Sequence, residues 1–270
     1  MTGHLRGPLP WLAALLGAYL LAPVLALAAR LGPRTWADLH SPALWSALRV
    51  SATAATVSSI LIAFGGIPLA YLLARARGWR SDILGVAVQL PLALPPLVGG
   101  ILLLFLIGPY TVIGRTFGGA LTDSFVGIVL AQTFVAAPFL IVAARSAFAA
   151  VDPSLEAVAA TLGDRPLARF LRVSLPLAWP GVRAGLLLAW LRAFGEFGAT
   201  LMVAYHPYSL PVYTYVQFGG TGLPATIAPV VVALLAAFLF LSLSALAGGR
   251  PLPSRPRRAP TGTAPGREVP

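Results

Sequence analysis

The sequence predicts an all-α polytopic membrane protein of six transmembrane helices, a five-helix core preceded by an N-terminal helix. Three observations carry this. The 270 residues are 58% hydrophobic and 10% charged, whereas a soluble domain carries about a quarter charged residues. Apolar stretches repeatedly reach the roughly 20 residues that a helix needs to cross a hydrocarbon core of about 30 Å. Most arginines lie in short loops on one side of these stretches or in the C-terminal tail, the asymmetry left by the positive-inside rule. An outer-membrane barrel would show alternating segments of about 10 residues, and the sequence has none.

In chain order, the apolar run Trp11 to Ala29 is the first span. The alternative is a secretory signal with Ala26-Leu27-Ala28 as its cleavage site, but the run is longer than the roughly 7–15 residues of a signal core. The reading is an uncleaved helix with its N-terminus inside. Arg30, Pro33, Arg34, Trp36 and Asp38 form an external loop. The second span falls within Leu44 to Leu73 and ends at the cluster Arg75, Arg77 and Arg80. Its VSATAATVSS stretch is small and hydroxylated, suited to close helix approach with the hydroxyls satisfying one another. Pro68 predicts a kink.

The third span, Ile83 to Ile107, contains Pro91, Pro95 and Pro96 and then Gly99-Gly100. Proline frees backbone carbonyls, which protein or cavity water must satisfy at membrane depth. Such an interrupted helix either lines a transport pathway or is a bent, packed helix. Gly108 to Ser124 reads as an external loop with turn signals at Gly108-Pro109 and Gly118-Gly119. Phe125 to Phe148 is the fourth span, with a kinking Pro138 and with Arg145 at its inner end. Val182 to Ala204 is the fifth, Tyr205 to Pro224 an external loop, and Ala225 to Ala247 the sixth. Residues 1–248 thus form a transmembrane domain with a cytosolic loop at 149–180, and 249–270 a disordered cytosolic tail rich in Pro, Gly, Thr and Arg.

Arg6, Arg75, Arg77, Arg80, Arg145, Arg165, Arg169, Arg172 and the tail arginines fall on one side, Arg30, Arg34, Arg49 and Arg115 on or near the other. This places both termini in the cytosol. The formal charge of +11 therefore answers to topology and anionic lipid, not to nucleic acid, for which no basic stripe interleaved with aromatics is present. The chain has no cysteine, which excludes disulfides, thiolate metal sites and Cys nucleophiles.

The longest break between apolar segments runs from Asp152 to Pro180. Asp152 followed by Pro153 is an N-cap and first-turn pair, and Glu156 adds favourable charge at that helix end. Leu155, Val158, Ala159 and Leu162 recur at helical spacing as a narrow apolar face. Gly163 suits the left-handed residue that ends the helix. Asp164 then caps a second short helix running through Val173 and stopped by Pro176. Such a hairpin fits a groove on a partner, or lies on lipid as an interfacial element.

Within the fifth span, Arg192 and Glu196 are ionisable groups at a depth where they are costly and mark function or a packing ion pair. Glu196 would repel an anion, so its expected role is structural or gating; Gly195, Gly198 and Thr200 would bring backbone and hydroxyl donors to the pathway. His206, beside Tyr205, Tyr208 and Tyr213, reads as a solvated loop residue, with contact to an outer partner as the alternative. No Ser-His-Asp set, metal-ligand cluster or Gly-rich phosphate loop is present, so ATP chemistry would have to reside on another chain.

The central stretch resembles the EAA loop of ABC-importer permeases, in which a glycine is followed after nine residues by Ile/Val-x-Leu-Pro; Gly163, Val173, Leu175 and Pro176 keep that spacing. The family's glutamate position falls on Ala157, with Glu156 one residue earlier; Val158 replaces the first of the usual alanines and Ala159 keeps the second. RAFGEFGATLMVA, Arg192 to Ala204, is similar to the fifth-helix signature of the molybdate, tungstate and sulfate branch, and LPLALPPLVGG, Leu90 to Gly100, to its proline-rich third helix. YHPYSLPVYTYVQFGG after the signature departs from the loop typical of molybdate permeases.

The resemblance implies a type I ABC importer permease fold in a bacterial-type cytoplasmic membrane and a homodimer. It also implies two cytosolic ABC ATPase subunits carrying ATP-Mg, and an extracytoplasmic oxyanion-binding protein. No cofactor or metal on this chain and no enzymatic activity of its own is implied. The ATPase-coupling residues would be Asp152, Leu155, Glu156, Ala157, Ala159, Leu162, Gly163, Asp164, Arg165, Val173, Leu175 and Pro176. The pathway or gate would take Pro91, Pro95, Pro96, Arg192, Gly195, Glu196, Gly198 and Thr200. The expected cargo is molybdate or tungstate, with sulfate, thiosulfate or another small solute as the alternative. An ATP-independent secondary transporter or channel is the alternative of another class.

Overall fold

A computed structural model describes residues 8–247; Arg6 and the arginine-rich tail lie outside the described residues. The first half comprises α1 (Pro8–Ala28), α2 (Pro33–Asp38), α3 (Pro42–Arg75), α4 (Trp79–Ala93), α5 (Pro96–Ile107), α6 (Val112–Thr116) and α7 (Phe125–Ala149). The second comprises α8 (Pro153–Thr161), α9 (Pro166–Arg169), a π turn (Phe170–Ser174), α10 (Leu175–Phe194), α11 (Gly198–Val203), α12 (Leu210–Thr221), a 3₁₀ turn (Leu223–Thr226) and α13 (Ile227–Ala247). Among the described residues five helices are long and apolar enough to cross a membrane, or six if α4 and α5 together make one broken span.

The core is the bundle of α3, α7 and α10. Leu44, Ala55, Ile62 and Ala70 of α3 pack with Ala136, Leu140, Ala144 and Phe148 of α7 and with Val182, Ala189 and Ala193 of α10. Small residues let these helices approach closely where lipid supplies no hydrophobic drive. A Cβ at Gly185 of α10 would lie 2.9 Å from Ala143 Cβ of α7. α13 joins through a hydrogen bond from the Arg183 guanidinium to Ser244 O and through Trp190 stacked on Phe240. α1 buries no residue.

Several expectations change. The third span is interrupted as its prolines predict, but more sharply than a single span, as two helices bent by 117°. α4 runs through Pro91 and stops at Leu94, and Pro96 opens α5. The 117° bend far exceeds the kink of a continuous helix and makes the pair a broken span or a re-entrant hairpin. The fifth span starts earlier than Val182, since α10 continues without a stop from Pro166, and it breaks at Gly195–Phe197 before α11. Pro176 does not end a short helix. Its ring and missing amide disfavour an α-helical turn around Arg172, and the turn widens to the π form, with Leu175 N donating to Phe170 O. The segment Tyr205 to Pro224 is not an open loop, because α12 buries Leu210, Val212 and Tyr213.

The hydroxyls of VSATAATVSS do not satisfy one another either. Ser51 Oγ accepts from Leu210 N at 2.7 Å and Ser58 donates to Val129 O at 3.0 Å, while Thr53 and Thr56 bond back onto their own helix. The helix hydroxyls thus tie α3 to α12 and α7. Pro68 and Pro138 sit inside α3 and α7, which run on past them.

Candidate functional site

The segment after α7 is built by local chemistry at both ends of α8. Asp152 Oδ1 accepts from Ser154 N at 2.8 Å, and this backbone bond holds the Asp152 carboxyl below its ordinary range. At the other end Gly163 N donates to Ala160 O and Asp164 N to Ala159 O, both at 3.0 Å. This is the double bond pattern of a glycine-terminated helix, and it requires the φ of +94° at Gly163, which L-residues avoid.

Glu156 turns inward and ties three elements together. Its Oε1 accepts from Arg75 Nε at 2.9 Å, Arg75 Nη2 at 2.6 Å and Ser174 Oγ at 2.6 Å; its Oε2 accepts from Tyr71 OH at 2.8 Å. Burial alone would raise this carboxyl, but the bonds from Ser174, Tyr71 and Arg75 outweigh it and hold the group below its ordinary value. Beside the hub Tyr71, Phe148 and Phe170 pack ring to ring, with centroids 4.9–5.9 Å apart.

The apolar residues of α8 mostly point the other way. Leu155, Val158 and Leu162 are 45%, 57% and 83% exposed, and Ala159 alone of that face is buried. Leu167 and Leu171 extend the apolar patch and are exposed as well. Ala157, Arg165 and Pro176 are exposed, and Val173 and Leu175 are half-buried. Asp164 is not a cap: Arg165 holds the N-cap position of α9 without a side-chain bond, and Asp164 pairs with Arg172 at 3.2 Å instead. Sequence reasoning missed Tyr71, Arg75 and Ser174 as partners of Glu156. Tyr71 and Arg75 are spaced i, i+4 on one helix face, a signal that the reading of Arg75 as a topology residue passed over.

The two helix breaks meet. A Cβ on Gly198 would lie 2.8 Å from Pro96 Cβ and 3.0 Å from Leu97 N, and one on Gly100 2.9 Å from Ala199 Cα. Only glycine lets α5 and α11 cross this closely, so Pro96 and Gly198 meet in one crossing with Gly100 and Ala199, while Pro91 stays within α4. Glu196 sits in the second break, 1% exposed. Its Oε1 accepts from Ala199 N at 2.7 Å and its Oε2 lies 2.5 Å from Arg192 Nη1, so the carboxylate caps α11 and pairs with α10 at once. The Thr200 hydroxyl is buried with no hydrogen-bond partner among the described residues. Gly195 is exposed and, with Phe194, Leu210, Pro211, Thr214 and Leu234, lines an apolar cavity of about 440 Å³. His206 lies apart from this cluster; its ring is 56% exposed, and its backbone amide donates to Asp123 Oδ1 at 2.7 Å.

Comparison with known proteins adds the following. Residues 66–250 match the family described as binding-protein-dependent transport system inner membrane component. The chain is 45% identical over 231 residues to a probable molybdenum ABC transporter permease protein of Haloferax volcanii, covering 85% of each chain. It is 43% identical over 199 residues to the molybdenum transport system permease protein ModB of Mycobacterium tuberculosis, covering 72% of this chain and 75% of that one. Against the molybdate/tungstate transport system permease protein WtpB of Thermococcus kodakarensis the identity is 40% over 198 residues, covering 73% and 76%.

Among solved structures, a bacterial ABC transporter involved in alginate import matches with a TM-score of 0.69 at 18% identity, over 90% of this chain and 97% of that one. The inward-facing MetNI methionine ABC transporter matches with a TM-score of 0.62 at 18% identity, over 76% and 94%. The fold is that of type I ABC importer permeases, and the chain belongs to the family of inner membrane components of binding-protein-dependent transport systems.

Proposed function

We propose that this chain is the membrane-spanning subunit of an ABC importer for molybdate or tungstate, working as a homodimer with two cytosolic ATPase subunits and an extracytoplasmic binding protein. Both termini and the 149–180 loop lie in the cytosol, and the loop is where the ATPase grips. The observation that carries the mechanical part is the two-faced build of α8. Leu155, Val158 and Leu162 are offered outward, while Glu156 bolts the same helix to α3 and to the turn that leads into α10. A partner pulling on the outward face therefore moves two spanning helices together. The 40–45% identities to permeases named for molybdenum, molybdate or tungstate support the cargo.

In this reading ATP closes the ATPase dimer, which binds one arrangement of the loops better than the other. That differential affinity drives the switch, since a ligand shifts an equilibrium only by the difference in its affinity for two states. The break at Gly195–Phe197 and the α5–α11 crossing form the gate. Arg192, Gly195, Glu196, Gly198, Thr200, Pro95 and Pro96 are its residues, and Pro91 serves it only through α4.

The test is ATPase activity in liposomes containing this chain, its ATPase and its binding protein, loaded with molybdate, tungstate or sulfate. Stimulation by the molybdate- or tungstate-loaded protein is expected. Stimulation by sulfate alone would move the assignment to that anion, and failure of the chain to associate with any ATPase would leave a self-contained transporter or channel.

A further inference from the structure

Glu196 is the one buried carboxylate among the described residues; its Oε1 accepts from Ala199 N, and its Oε2 forms an ion pair with Arg192 but no hydrogen bond among the described residues. Arg192 is not used up by this pair. A guanidinium carries five N–H donors in a planar fork, Glu196 is its one partner among the described residues, and 25% of its side chain remains exposed. Arg192 also lies inside the candidate span Pro166–Phe194, about 24 Å along α10 from Pro176 at 1.5 Å per residue. Within a span a charged group almost always faces the protein interior or a water-filled cavity rather than lipid. The other arginine of α10, Arg183, is engaged by the Ser244 carbonyl.

We propose that Arg192 is the cation that the oxyanion meets inside the membrane, and that Glu196 is the positioning residue that holds it and half-neutralises it. This rests on the importer reading above. A lone guanidinium in a low-dielectric passage would hold a dianion too tightly to release it, and a passage with no cation would oppose entry. A carboxylate fixed behind the guanidinium leaves a dipole whose positive end faces the cargo, so that binding favours entry but stays weak enough for exit, as conduction requires. Glu196 itself is too buried to confront the anion, which removes the repulsion its charge would otherwise exert.

The experiment measures equilibrium binding of radiolabelled tungstate to the full-length permease–ATPase complex, held with a non-hydrolysable ATP analogue and without binding protein. Transport turnover at saturating loaded binding protein is measured in parallel. Wild type is expected to bind weakly and saturably. Glu196→Gln keeps the acceptor for Ala199 N but unmasks the guanidinium, and is expected to bind at least tenfold tighter and to turn over more slowly. Arg192→Gln combined with Glu196→Gln removes both charges without stranding a carboxylate, and is expected to lose measurable binding.

A pair that serves packing alone would lower the melting temperature of these variants and leave their tungstate affinity unchanged. That result overturns the inference, as does a wild type without saturable binding. If affinity ignores both substitutions while the loaded binding protein still stimulates wild-type ATPase, the passage role of Arg192 fails and the importer reading stands. Absence of that stimulation removes the importer reading itself.

Discussion

Glu156 shows how one carboxylate can turn a short surface helix into part of a larger body. It accepts four hydrogen bonds from Arg75, Ser174 and Tyr71, and bonds to charged groups contribute about 1.5–3 kcal/mol each when partly buried and well aligned. Glu156→Ala strands the Arg75 guanidinium and is expected to cost about 3 kcal/mol, the lower end for breaking a buried ion pair, read as a drop in the melting temperature of the purified protein. The folded carboxyl titrates below its ordinary value of 4.5. Its contribution to stability is therefore present above pH 4.5 and is lost as pH falls below that through the folded value. Melting temperature followed from pH 6 downward should fall more steeply in wild type than in Glu156→Gln over that acid range. Equal slopes would mean that the hub does not stabilise the fold. The sequence showed the residue but not the hub, because Arg75 and Ser174 reach Glu156 only once α8 has folded back against α3 and the π turn.

Among the elements, the helix ends were readable and the helix courses were not. Asp152 and Gly163 fix α8 through bonds to their immediate neighbours, so their chemistry is visible in sequence. Prolines are a poorer guide at membrane depth. The Pro95–Pro96 pair breaks its span, whereas α3, α4 and α7 continue past Pro68, Pro91 and Pro138, as spanning helices can where other groups satisfy the freed carbonyls. The break after α10 was read as continuous helix because no proline marks it between Val182 and Ala204; Glu196 sits in it and bonds forward to Ala199 N of α11. The glycine crossing between α5 and α11 gives a direct test. Gly198→Ala puts a methyl 2.8 Å from Pro96 Cβ and 3.0 Å from backbone at Leu97, and overpacking of this kind costs about 1–3 kcal/mol. Gly219→Ala in α12 meets nothing within 4 Å and should leave the melting temperature unchanged or raise it. Equal behaviour of the two variants would refute the close crossing.

For the molecule as a whole, composition and segment length were enough for an all-α membrane fold, and the Gly163-to-Pro176 spacing for its family, because both are properties of the chain itself. The central proposal is that the outward face of α8 is where a soluble ATPase takes hold, while the inward face transmits the movement to α3 and α10. The chain has no native cysteine, so a single introduced thiol can be labelled without background. The decisive measurement is photocrosslinking from a benzophenone-maleimide on Leu162→Cys, with Tyr110→Cys in the loop after α5 as comparison, each labelled before assembly with the ATPase. Both positions are more than 80% exposed, so access does not distinguish them. Capture of the ATPase subunit from position 162 and not from position 110 is the predicted result; capture from position 110 alone, or from neither, would contradict it.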